Sequence, residues 1–553
     1  DGGGICVVKY RDNANVSFTP TNIEVSGNSS GRDGGGIWIQ TTKEVVISGS
    51  NINGNIAASS GGGIYANECS SITADNSEIN GNTSSGNGGG IYAANNSKIV
   101  MNSSLVDTNK AIWGGGVYLH YGSMLTISEN DSISHNTATN NGGGILINDV
   151  YTGDDSLPSK LTMSGGRIEN NTSEKGNGGG ICGQKKAYID ISGGEIKTNT
   201  AAINGGGVFS WDGSVINMTD GAIEANTAVN GGGVFLTNSA FTSAGGTISA
   251  NTAANGGGMY LNDESVTVTL NQINIQENTA TKEGGGIVCK TNGIDVNGGA
   301  HIYQNVVADM SQAEGELIPV DSNLCLYNGT TIKMTMPESE IIRENESEIK
   351  EYFPSVIFVS IMNDDGAGSV TSSFNADYAE RYNEFFYSDS REYKPLYDGS
   401  NVCLGYNIII DYGYDGRMEE IGVLKNGKAE FDDPEERPEY VFGGWFVDDN
   451  GYNFDKPVTK SFTITAKWLK DGENAVSITP DKVYVMSTVE SKLYVSAYKN
   501  GKLTGVALVD AKPGFSWKLA EIGLDTSGAD KLSAFLWDSR LTPLCGNADT
   551  VLK

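Results

Sequence analysis

The stretch Ile79-Asn-Gly-Asn-Thr-Ser-Ser-Gly-Asn-Gly-Gly-Gly-Ile-Tyr92 contains the pattern that decides the fold of this 553-residue chain. Its glycine triplet, followed by one apolar residue, occurs eleven times within the first 287 residues. Successive triplets are 25 to 28 residues apart in eight of the ten intervals, and 32 and 36 residues apart in the others. A repeat this short cannot bury a core alone, so the copies must stack on one another. The triplets begin at Gly2, Gly34, Gly61, Gly88, Gly114, Gly142, Gly178, Gly205, Gly231, Gly256 and Gly284.

A column of asparagines runs in register with the triplets, usually as Asn-Thr-Ala or a close variant. Asparagine tolerates left-handed backbone geometry, and its amide can bond to the copies above and below, so a stacked turn suits it. A Ser-Gly corner, as in Met163-Ser-Gly-Gly and Ile191-Ser-Gly-Gly, precedes several of the asparagines. The predicted structural ladder consists of Asn28, Asn55, Asn82, Asn109, Asn136, Asn171, Asn199, Asn226, Asn251, Asn278 and Asn305.

Each repeat contains three predicted strands: one after the glycines, one before the Ser-Gly corner and one that ends at the asparagine. Segments such as Val45-Val46-Ile47 and Leu125-Thr126-Ile127 are typical of strands. Glycine triplets exclude a helix and suit a tight corner. Three strands in a coil of about 27 residues indicate a parallel β-helix. About eleven coils at a strand spacing of ~4.8 Å give a solenoid roughly 50 Å long.

The repeat also resembles known families. An Ile-x-x-Asn-Thr-Ala element followed by Gly-Gly-Gly-Ile-Tyr is similar to the FxxN and GGA[ILV] pairs of polymorphic outer-membrane proteins. It is similar as well to the adhesin-like right-handed β-helices of gut bacteria, in the pectate-lyase-like superfamily. The resemblance covers residues 1–335 and implies an all-β chain with a right-handed parallel β-helix. Two departures are the glycine in the third triplet position, where the family has alanine, and the frequent isoleucine or valine where phenylalanine is usual.

After the last triplet the sequence predicts a capping segment over residues 336–404, because the open edge of a solenoid needs a polar cover. Within it, residues 338–352 fit either a short amphipathic helix or an irregular cap. Phe386-Tyr387-Ser388-Asp389, followed by Val402-Cys403-Leu404, is similar to the ending of many adhesin-like β-helices.

Residues 405–470 resemble a Listeria–Bacteroides repeat, a small β-grasp-like module of bacterial surface proteins. The resemblance rests on the Gly444-Trp445 step, the Pro457-Val458-Thr459 turn and the closing Ala466-Lys467-Trp468 strand. Both tryptophans are predicted to be core anchors, because a domain this small needs large apolar side chains in its interior.

Residues 471–553 alternate apolar and polar residues in short strands separated by turns, which favours an immunoglobulin- or fibronectin-like sandwich. The end of this segment, residues 534–545, is similar to the C-terminal β-sandwich tails of secreted proteins of gut Firmicutes.

Composition excludes several classes of function. A net charge of −30 makes nucleic acid an unsuitable partner, since phosphate binding needs clustered lysine and arginine. Seven scattered cysteines without a CxxC pair indicate neither a zinc site nor a dense disulfide framework. The sequence contains no run of 18 apolar residues, so it predicts no membrane-spanning helix. Because Asp1 lies inside a repeat, we expect the chain to be a fragment of a longer protein.

The outward-facing positions of the strand after each triplet contain no catalytic constellation. If its first residue points inward, the second and fourth point outward. The second column is Cys6, Trp38, Tyr65, Tyr92, Tyr118, Leu146, Cys182, Phe209, Phe235, Tyr260 and Val288. The fourth column is Val8, Gln40, Asn67, Ala94, His120, Asn148, Gln184, Trp211, Thr237, Asn262 and Lys290. Neither contains a carboxylate, whereas glycosidases need two facing ones, so we do not expect an enzyme.

No metal or other cofactor is expected. The three histidines, His120, His135 and His301, lie on different coils, and none is spaced for metal ligation. The insertion at residues 149–160 contains Asp154 and Asp155, which could chelate a structural calcium ion or belong to a solvated loop.

The aromatic residues of the second column form a predicted amphipathic strip flanked by polar side chains. Rings ~5 Å apart could stack on sugars or contact a protein. Alternatively, the rings stack on one another and stabilise the face of the solenoid. The candidate binding residues are Trp38, Tyr65, Tyr92, Tyr118, Phe209, Phe235 and Tyr260, together with Trp211 of the fourth column.

These features favour an extracellular, adhesin-like or structural display protein of a bacterial cell surface, with a host or dietary glycan or a surface protein as its partner. One alternative is a carbohydrate-active lyase or hydrolase whose active site lies on loops or on a missing segment. Another is a subunit of an extracellular filament or matrix, because uncapped coil edges can stack end to end.

Overall fold

The computed structural model describes residues 2–8, 17–69, 71–149, 158–309, 318–327, 330–334, 356–362, 367–373, 382–383, 385–511 and 515–552. Two compact units are present. The first comprises Asp1–Ser390 with Gly399–Val402, and the second comprises Arg391–Asp398 with Cys403–Lys553. No α-helix occurs among the described residues.

The first unit is a parallel β-helix whose strands form four columns, here called A to D. Column A follows the triplets: Ile5–Val8, Ile37–Gln40, Ile64–Asn67, Ile91–Ala94, Val117–His120, Ile145–Asn148, Ile181–Gln184, Val208–Trp211, Val234–Thr237, Met259–Leu261 and Ile287–Cys289, then Leu324–Tyr327 without a triplet. Column B contains Ser17–Phe18, Glu44–Ser48, Ile72–Asp75, Lys98–Asn102, Met124–Ile127, Ala240–Ser243, Thr267–Asn271, Ile294–Asn297, Ile332–Met334 and Thr371–Ser373. Column C contains Glu24–Ser26, Asn51–Asn53, Glu78–Asn80, Leu105–Asp107, Ser132–Ser134, Thr247–Ser249, Asn274–Gln276, His301–Tyr303, Val356–Met362 and Phe386–Ser388. Three long strands, Lys160–Glu169, Tyr188–Lys197 and Val215–Glu224, span columns B and C.

Column D is a fourth, short strand that the three-strand prediction did not include. It begins directly after the ladder asparagine, where only two residues are extended in most coils, too few to produce a recognisable alternation. Its members are Ser29–Ser30, Ile56–Ala57, Thr83–Ser84, Lys110–Ala111, Thr137–Ala138, Thr172–Ser173, Thr200–Ala201, Thr252–Asn255, Thr279–Glu283 and Val306–Asp309, the last of which pairs antiparallel with Ile318–Asp321.

Parallel pairing in constant register builds the core. Ile37 pairs with Ile64, and Ile64 with Ile91, so identical positions of successive coils lie above one another. From Ile37 onward, the first and third residues of column A are buried, as the alternation predicted. The first-position column is therefore a continuous stack of apolar side chains from Ile37 to Leu324, and the third-position column is mostly aliphatic, with Gly183, Ser210 and Cys289 as exceptions. Stacking buries apolar area that no single coil could bury.

Each glycine of a triplet is required for a different reason. Gly88 has a φ of +60°, in the left-handed region, and the first glycine of every triplet shares this conformation. A Cβ on Gly89 would lie 2.4 Å from the carbonyl oxygen of Gly115 in the next coil. A Cβ on Gly90 would lie 2.9 Å from Nδ2 of Asn109, so the ladder amide occupies the space of the missing methyl group. The third glycine, which departs from the family pattern, thus makes room for the asparagine ladder.

The asparagines form one buried hydrogen-bond ladder through the solenoid. In a typical rung, the backbone N–H and the Nδ2 of Asn82 both donate to Oδ1 of Asn109, at 2.9 and 3.0 Å. Nδ2 also donates to the carbonyl of Ile52 at 2.8 Å. The rungs run from Asn28 through each predicted asparagine to Asn305 and on to Asn323.

The ladder ends on a carboxylate. The backbone N–H and Nδ2 of Asn323 donate to the two carboxylate oxygens of Asp389, at 3.1 and 2.8 Å. The N–H and Nδ2 bonds that join one ladder asparagine to the next always run from the earlier residue to the later one. The partner of the last asparagine must therefore accept hydrogen bonds and need not donate any. An ionised carboxylate meets this demand because it is an acceptor only. The negative charge also faces the donor end of the aligned amides, which strengthens these two bonds.

The solenoid continues beyond residue 335, where the sequence predicted a cap. Val356–Met362 pairs parallel with both His301–Tyr303 and Leu324–Tyr327, and Phe386–Ser388 pairs parallel with Val356–Met362. These late strands lack glycine triplets, so the repeat signal is lost before the fold ends. The alternative of a helix or an irregular cap at 338–352 lies outside the described residues.

The second unit contains a mixed sheet and a two-sheet sandwich. The strands that the second unit contributes to the mixed sheet are Tyr393–Tyr397, Val402–Asp411, Met418–Val423, Tyr440–Val447, Asn450–Gly451 and Phe462–Lys470. The sandwich packs Ala475–Ile478, Lys482–Met486 and Phe515–Lys518 against Ser491–Lys499, Lys502–Ala511, Lys531–Asp538 and Ala548–Val551.

The two parts of this unit share a core, whereas the sequence placed a domain boundary after residue 470. Leu469 and Phe442 of the mixed sheet pack with Tyr484 of the sandwich in one apolar cluster. The indole N–H of Trp468 donates to the carbonyl of Tyr412 at 2.7 Å, and Trp445 is buried. The tryptophans therefore lie in and around the core of a single compact unit.

Candidate binding face on strand column A

The predicted aromatic strip is a ring stack whose faces cover one another. Strand register sets the rings one coil apart, close to the distance of parallel ring stacking. The centroid distances and interplanar angles are 6.2 Å and 9° for Trp38–Tyr65, 5.1 Å and 13° for Tyr65–Tyr92, 5.4 Å and 26° for Tyr92–Tyr118, 5.5 Å and 17° for Phe209–Phe235, and 5.3 Å and 4° for Phe235–Tyr260.

Burial corrects the expectation of a flat, exposed strip. Tyr92, Tyr118, Phe209, Phe235 and Tyr260 are each less than a tenth exposed, and they belong to one buried cluster. Trp38 and Tyr65, at the N-terminal end of the stack, are partly exposed. A sugar ring cannot stack on a face that another ring already covers, so these five side chains support the solenoid instead.

Polar side chains border the stack on both sides. On one side, the residues before the triplets bond between coils: Asn230 Nδ2 donates to Asn204 Oδ1 at 2.9 Å. On the other side, side chains of the fourth column bond to the tyrosine hydroxyls of the stack. The Tyr92 hydroxyl and His120 Nδ1 are hydrogen-bonded at 3.0 Å. Nδ2 of Asn148 donates to the Tyr118 hydroxyl at 2.9 Å. The amphipathic pattern thus reflects a ring stack with hydrogen-bonded edges.

Two smaller residues, Leu146 and Cys182, interrupt the stack between Tyr118 and Phe209. Cys182 is fully buried, and burial raises the pKa of its thiol to about 12. Nε2 of Gln184 lies 3.2 Å from the sulfur. A thiol held neutral in this way is a packing residue and not a nucleophile.

A charged cluster closes the C-terminal end of the stack above the small side chain of Val288. Nζ of Lys290 donates to the Tyr260 hydroxyl at 2.7 Å and lies 4.2 Å from the ring centroid of Tyr327. The Tyr327 hydroxyl donates to Glu283 Oε2 at 2.5 Å. Partial burial opposes protonation of Lys290, but the tyrosine hydroxyls and the Glu283 charge raise its pKa above the ordinary value.

Two aromatic residues outside the stack are more exposed than any of its rings. Trp211 is 41% exposed, and Tyr121 is 36% exposed with its ring stacked on His120 at a centroid distance of 3.7 Å. Both lie where column A ends and the chain turns toward column B. Strand pairing places Asn148 beside His120, and Gly183 beside Ser210, so Gln184 and Trp211 are also adjacent. Tyr121 and Trp211 are thus about three coils, roughly 14 Å, apart.

Amide groups lie between the two exposed rings. Oδ1 of Asn148 is buried and has no hydrogen-bond partner among the described residues. A buried acceptor without a partner costs free energy, because it has lost its bonds to water. We call Tyr121, Asn148, Gln184 and Trp211 the exposed-ring patch.

The sequence identified only part of this patch. Trp211 was among the predicted binding residues, whereas Tyr121 was not, because it follows the strand and lies in the turn outside the two outward columns. Positive φ at Tyr121, +46°, turns it out of the strand alternation. Asp154 and Asp155, predicted either to chelate a calcium ion or to belong to a solvated loop, lie outside the described residues.

Among the described residues, no group of three or more histidine, cysteine or acidic side chains is arranged to hold a metal ion. Likewise, the described part of the chain has no helix of the length and apolarity that crossing a bilayer requires.

Acidification is expected to destabilise the β-helix through His120. Burial lowers the pKa of His120 from 6.5 to about 4, so the folded protein resists a proton that the unfolded chain accepts. Stability contributed by the neutral ring is complete above pH 6.5 and is lost as the pH falls toward 4. A fully buried group would contribute about 3 kcal/mol, and screening of this partly exposed ring reduces the expected loss to about 1–2 kcal/mol.

Urea unfolding of the wild type and of His120→Gln at pH 7 and pH 4.5 checks this expectation. The glutamine variant should lose less stability between the two pH values than the wild type. Equal losses in the two proteins would show that His120 does not carry the effect.

Comparison with known proteins agrees with this architecture. A family described as "Right handed beta helix region" matches residues 2–153. A search of curated proteins found no match. The class of protein is therefore a right-handed parallel β-helix, and the predicted all-β fold is confirmed.

Proposed function

We propose that this protein is an extracellular display scaffold of a bacterial cell surface that binds a glycan through the exposed-ring patch. The observation that carries the proposal is the contrast in exposure along column A. Five rings are buried in the stack, whereas Tyr121 and Trp211 stand in solvent. Tryptophan and tyrosine are enriched at recognition sites, because their large apolar surface gains free energy when a ligand covers it.

The chemistry of the patch suits an oligosaccharide. The apolar face of a sugar ring can pack on Trp211 or Tyr121, and a sugar hydroxyl can bond to the partly exposed amide of Asn148. Two platforms roughly 14 Å apart favour a chain of several sugars over a single one. The rigid coils hold both platforms in place, which reduces the entropic cost of binding.

A glycan array with the whole chain tests the proposal. We expect the wild type to bind a set of glycans, and Trp211→Ala and Tyr121→Ala to weaken that binding by about tenfold or more. Tyr188→Ala is the matched control, because Tyr188 is 37% exposed on a strand of columns B and C. Absence of any bound glycan would contradict the proposal, as would an equal loss in the control. Unsaturated products or new reducing ends from polysaccharides would identify an enzyme instead.

A further inference from the structure

The second unit contains a cleft that is separate from the β-helix. Its volume is about 250 Å³, and its walls come from the loop between Asn450–Gly451 and Phe462–Lys470 and from the end of the strand Ala548–Val551. Typical pockets for larger organic ligands have volumes of roughly 300–1,000 Å³. The cleft therefore suits a ligand about the size of one sugar residue.

The charge of the cleft is opposite to that of the protein. Lys456 and Lys460 line it, and no aspartate or glutamate is among its lining residues. Lys456 uses one donor on the carbonyl of Leu552, at 2.9 Å, and the ammonium group keeps further donors. Lys460 forms no hydrogen bond or ion pair with another described residue. In a chain of net charge −30, two lysines with no aspartate or glutamate among the described residues of the cleft wall indicate a site that attracts an anion.

Neutral groups of the cleft suit a sugar more than a simple ion. Tyr452 and Phe462 are partly exposed and lie 5.2 Å apart between centroids, which provides an apolar wall. Thr459 and Asn450 also line the cleft and carry hydroxyl and amide groups. Hydroxyls of a sugar ring match such groups, whereas a bare anion would leave them unused.

The loop is held in place before any ligand arrives. The N–H of Val458, a buried residue, donates to the carbonyl of Gly427 at 2.8 Å. The N–H of Gly451 donates to Thr550 Oγ1 at 3.1 Å, and a Cβ on this glycine would lie 2.4 Å from Cα of Thr479. The N–H of Tyr452 donates to the carbonyl of Trp445 at 2.8 Å. Fixed walls of this kind lower the conformational cost of binding.

We propose that this cleft binds a carboxylate-bearing sugar residue, a uronic acid, with its carboxylate between Lys456 and Lys460 and its ring against Tyr452. This site is independent of the exposed-ring patch, so either can fail without the other.

Ligand-observed NMR titrations of the whole chain test the proposal, with galacturonic and glucuronic acid as probes. We expect both acids to bind at about 0.05 M salt and more weakly at about 0.5 M, because screening reduces the attraction of exposed charges. Galactose and glucose should bind at least about tenfold more weakly than the acids. Lys460→Gln and Lys456→Gln should each weaken acid binding several-fold, and Lys502→Gln, an exposed lysine of the same unit, should not.

Three outcomes would overturn the proposal. Neutral sugars that bind as tightly as the acids would show that the lysines do not select the ligand. Acetate that competes as well as the uronic acids would reduce the cleft to an anion site. Tighter binding of a short peptide of aspartate and glutamate would assign the cleft to an acidic polypeptide.

Unchanged thermal midpoints of the lysine variants would show that any loss of binding comes from the site and not from unfolding.

Discussion

Replacing Gly89 by alanine is expected to destabilise the β-helix by more than about 3 kcal/mol and to reduce the yield of folded protein. The new Cβ would lie 2.4 Å from the Gly115 carbonyl oxygen and 2.5 Å from the Lys110 carbonyl oxygen. Both are backbone atoms of the neighbouring coil, so a side-chain rotation cannot relieve the clash. The coils would have to separate locally, which breaks the hydrogen bonds that join them.

Gly31→Ala is the matched control for Gly89→Ala. No atom lies within 4 Å of a Cβ at this position, and its φ is not in the left-handed region. Urea unfolding followed by circular dichroism should therefore show nearly wild-type stability for Gly31→Ala and a large loss for Gly89→Ala. Similar midpoints for the two variants would contradict the steric explanation of the triplet.

The second large effect is expected from the buried ladder. Asn82→Ala removes two hydrogen bonds that the side chain accepts from Asn55 and two that it donates, to Ile52 and Asn109. Buried polar groups left without partners cost about 1–3 kcal/mol each, so we expect a loss of roughly 3–5 kcal/mol. Asn53→Ala, an exposed asparagine one coil away, should change stability by less than about 0.5 kcal/mol.

Hydrogen exchange locates the effect of Asn82→Ala along the solenoid. Stability of a stacked repeat depends on nearest-neighbour contacts, so protection should fall most in the coils that contain Asn55 and Asn109. A uniform fall across the whole β-helix, or none at all, would contradict the role of a local rung.

The repeat was readable from the sequence because one structural demand recurs at one spacing. The left-handed corner at Gly88 and the buried amide of Asn82 are set by contacts with identical neighbours, so every coil needs the same residue at the same place. The end of the ladder was not predictable in this way. Asp389 lies 66 residues after Asn323 and occurs once, so no periodicity identifies it as the last acceptor.

The candidate site was predicted only in part because exposure depends on what neighbours cover. The alternation of the strand predicts that the side chains of Phe235 and Trp211 both point outward from the solenoid. Phe235 is nevertheless buried between two rings, whereas Trp211 is exposed. The difference arises from the position in the strand. Second-column rings lie between two polar columns, whereas the fourth residue is the last before the turn and has a neighbour on one side only.

The central claim is that solvent-exposed rings, and not the ring stack, recognise the ligand. The most direct test compares dissociation constants of Trp211→Ala and Phe235→Leu for one glycan that the wild type binds. Leucine at the second column already occurs at Leu146, so Phe235→Leu preserves the fold. We predict binding about tenfold weaker for Trp211→Ala and within about twofold of the wild type for Phe235→Leu. Weaker binding in Phe235→Leu together with unchanged binding in Trp211→Ala would contradict the claim.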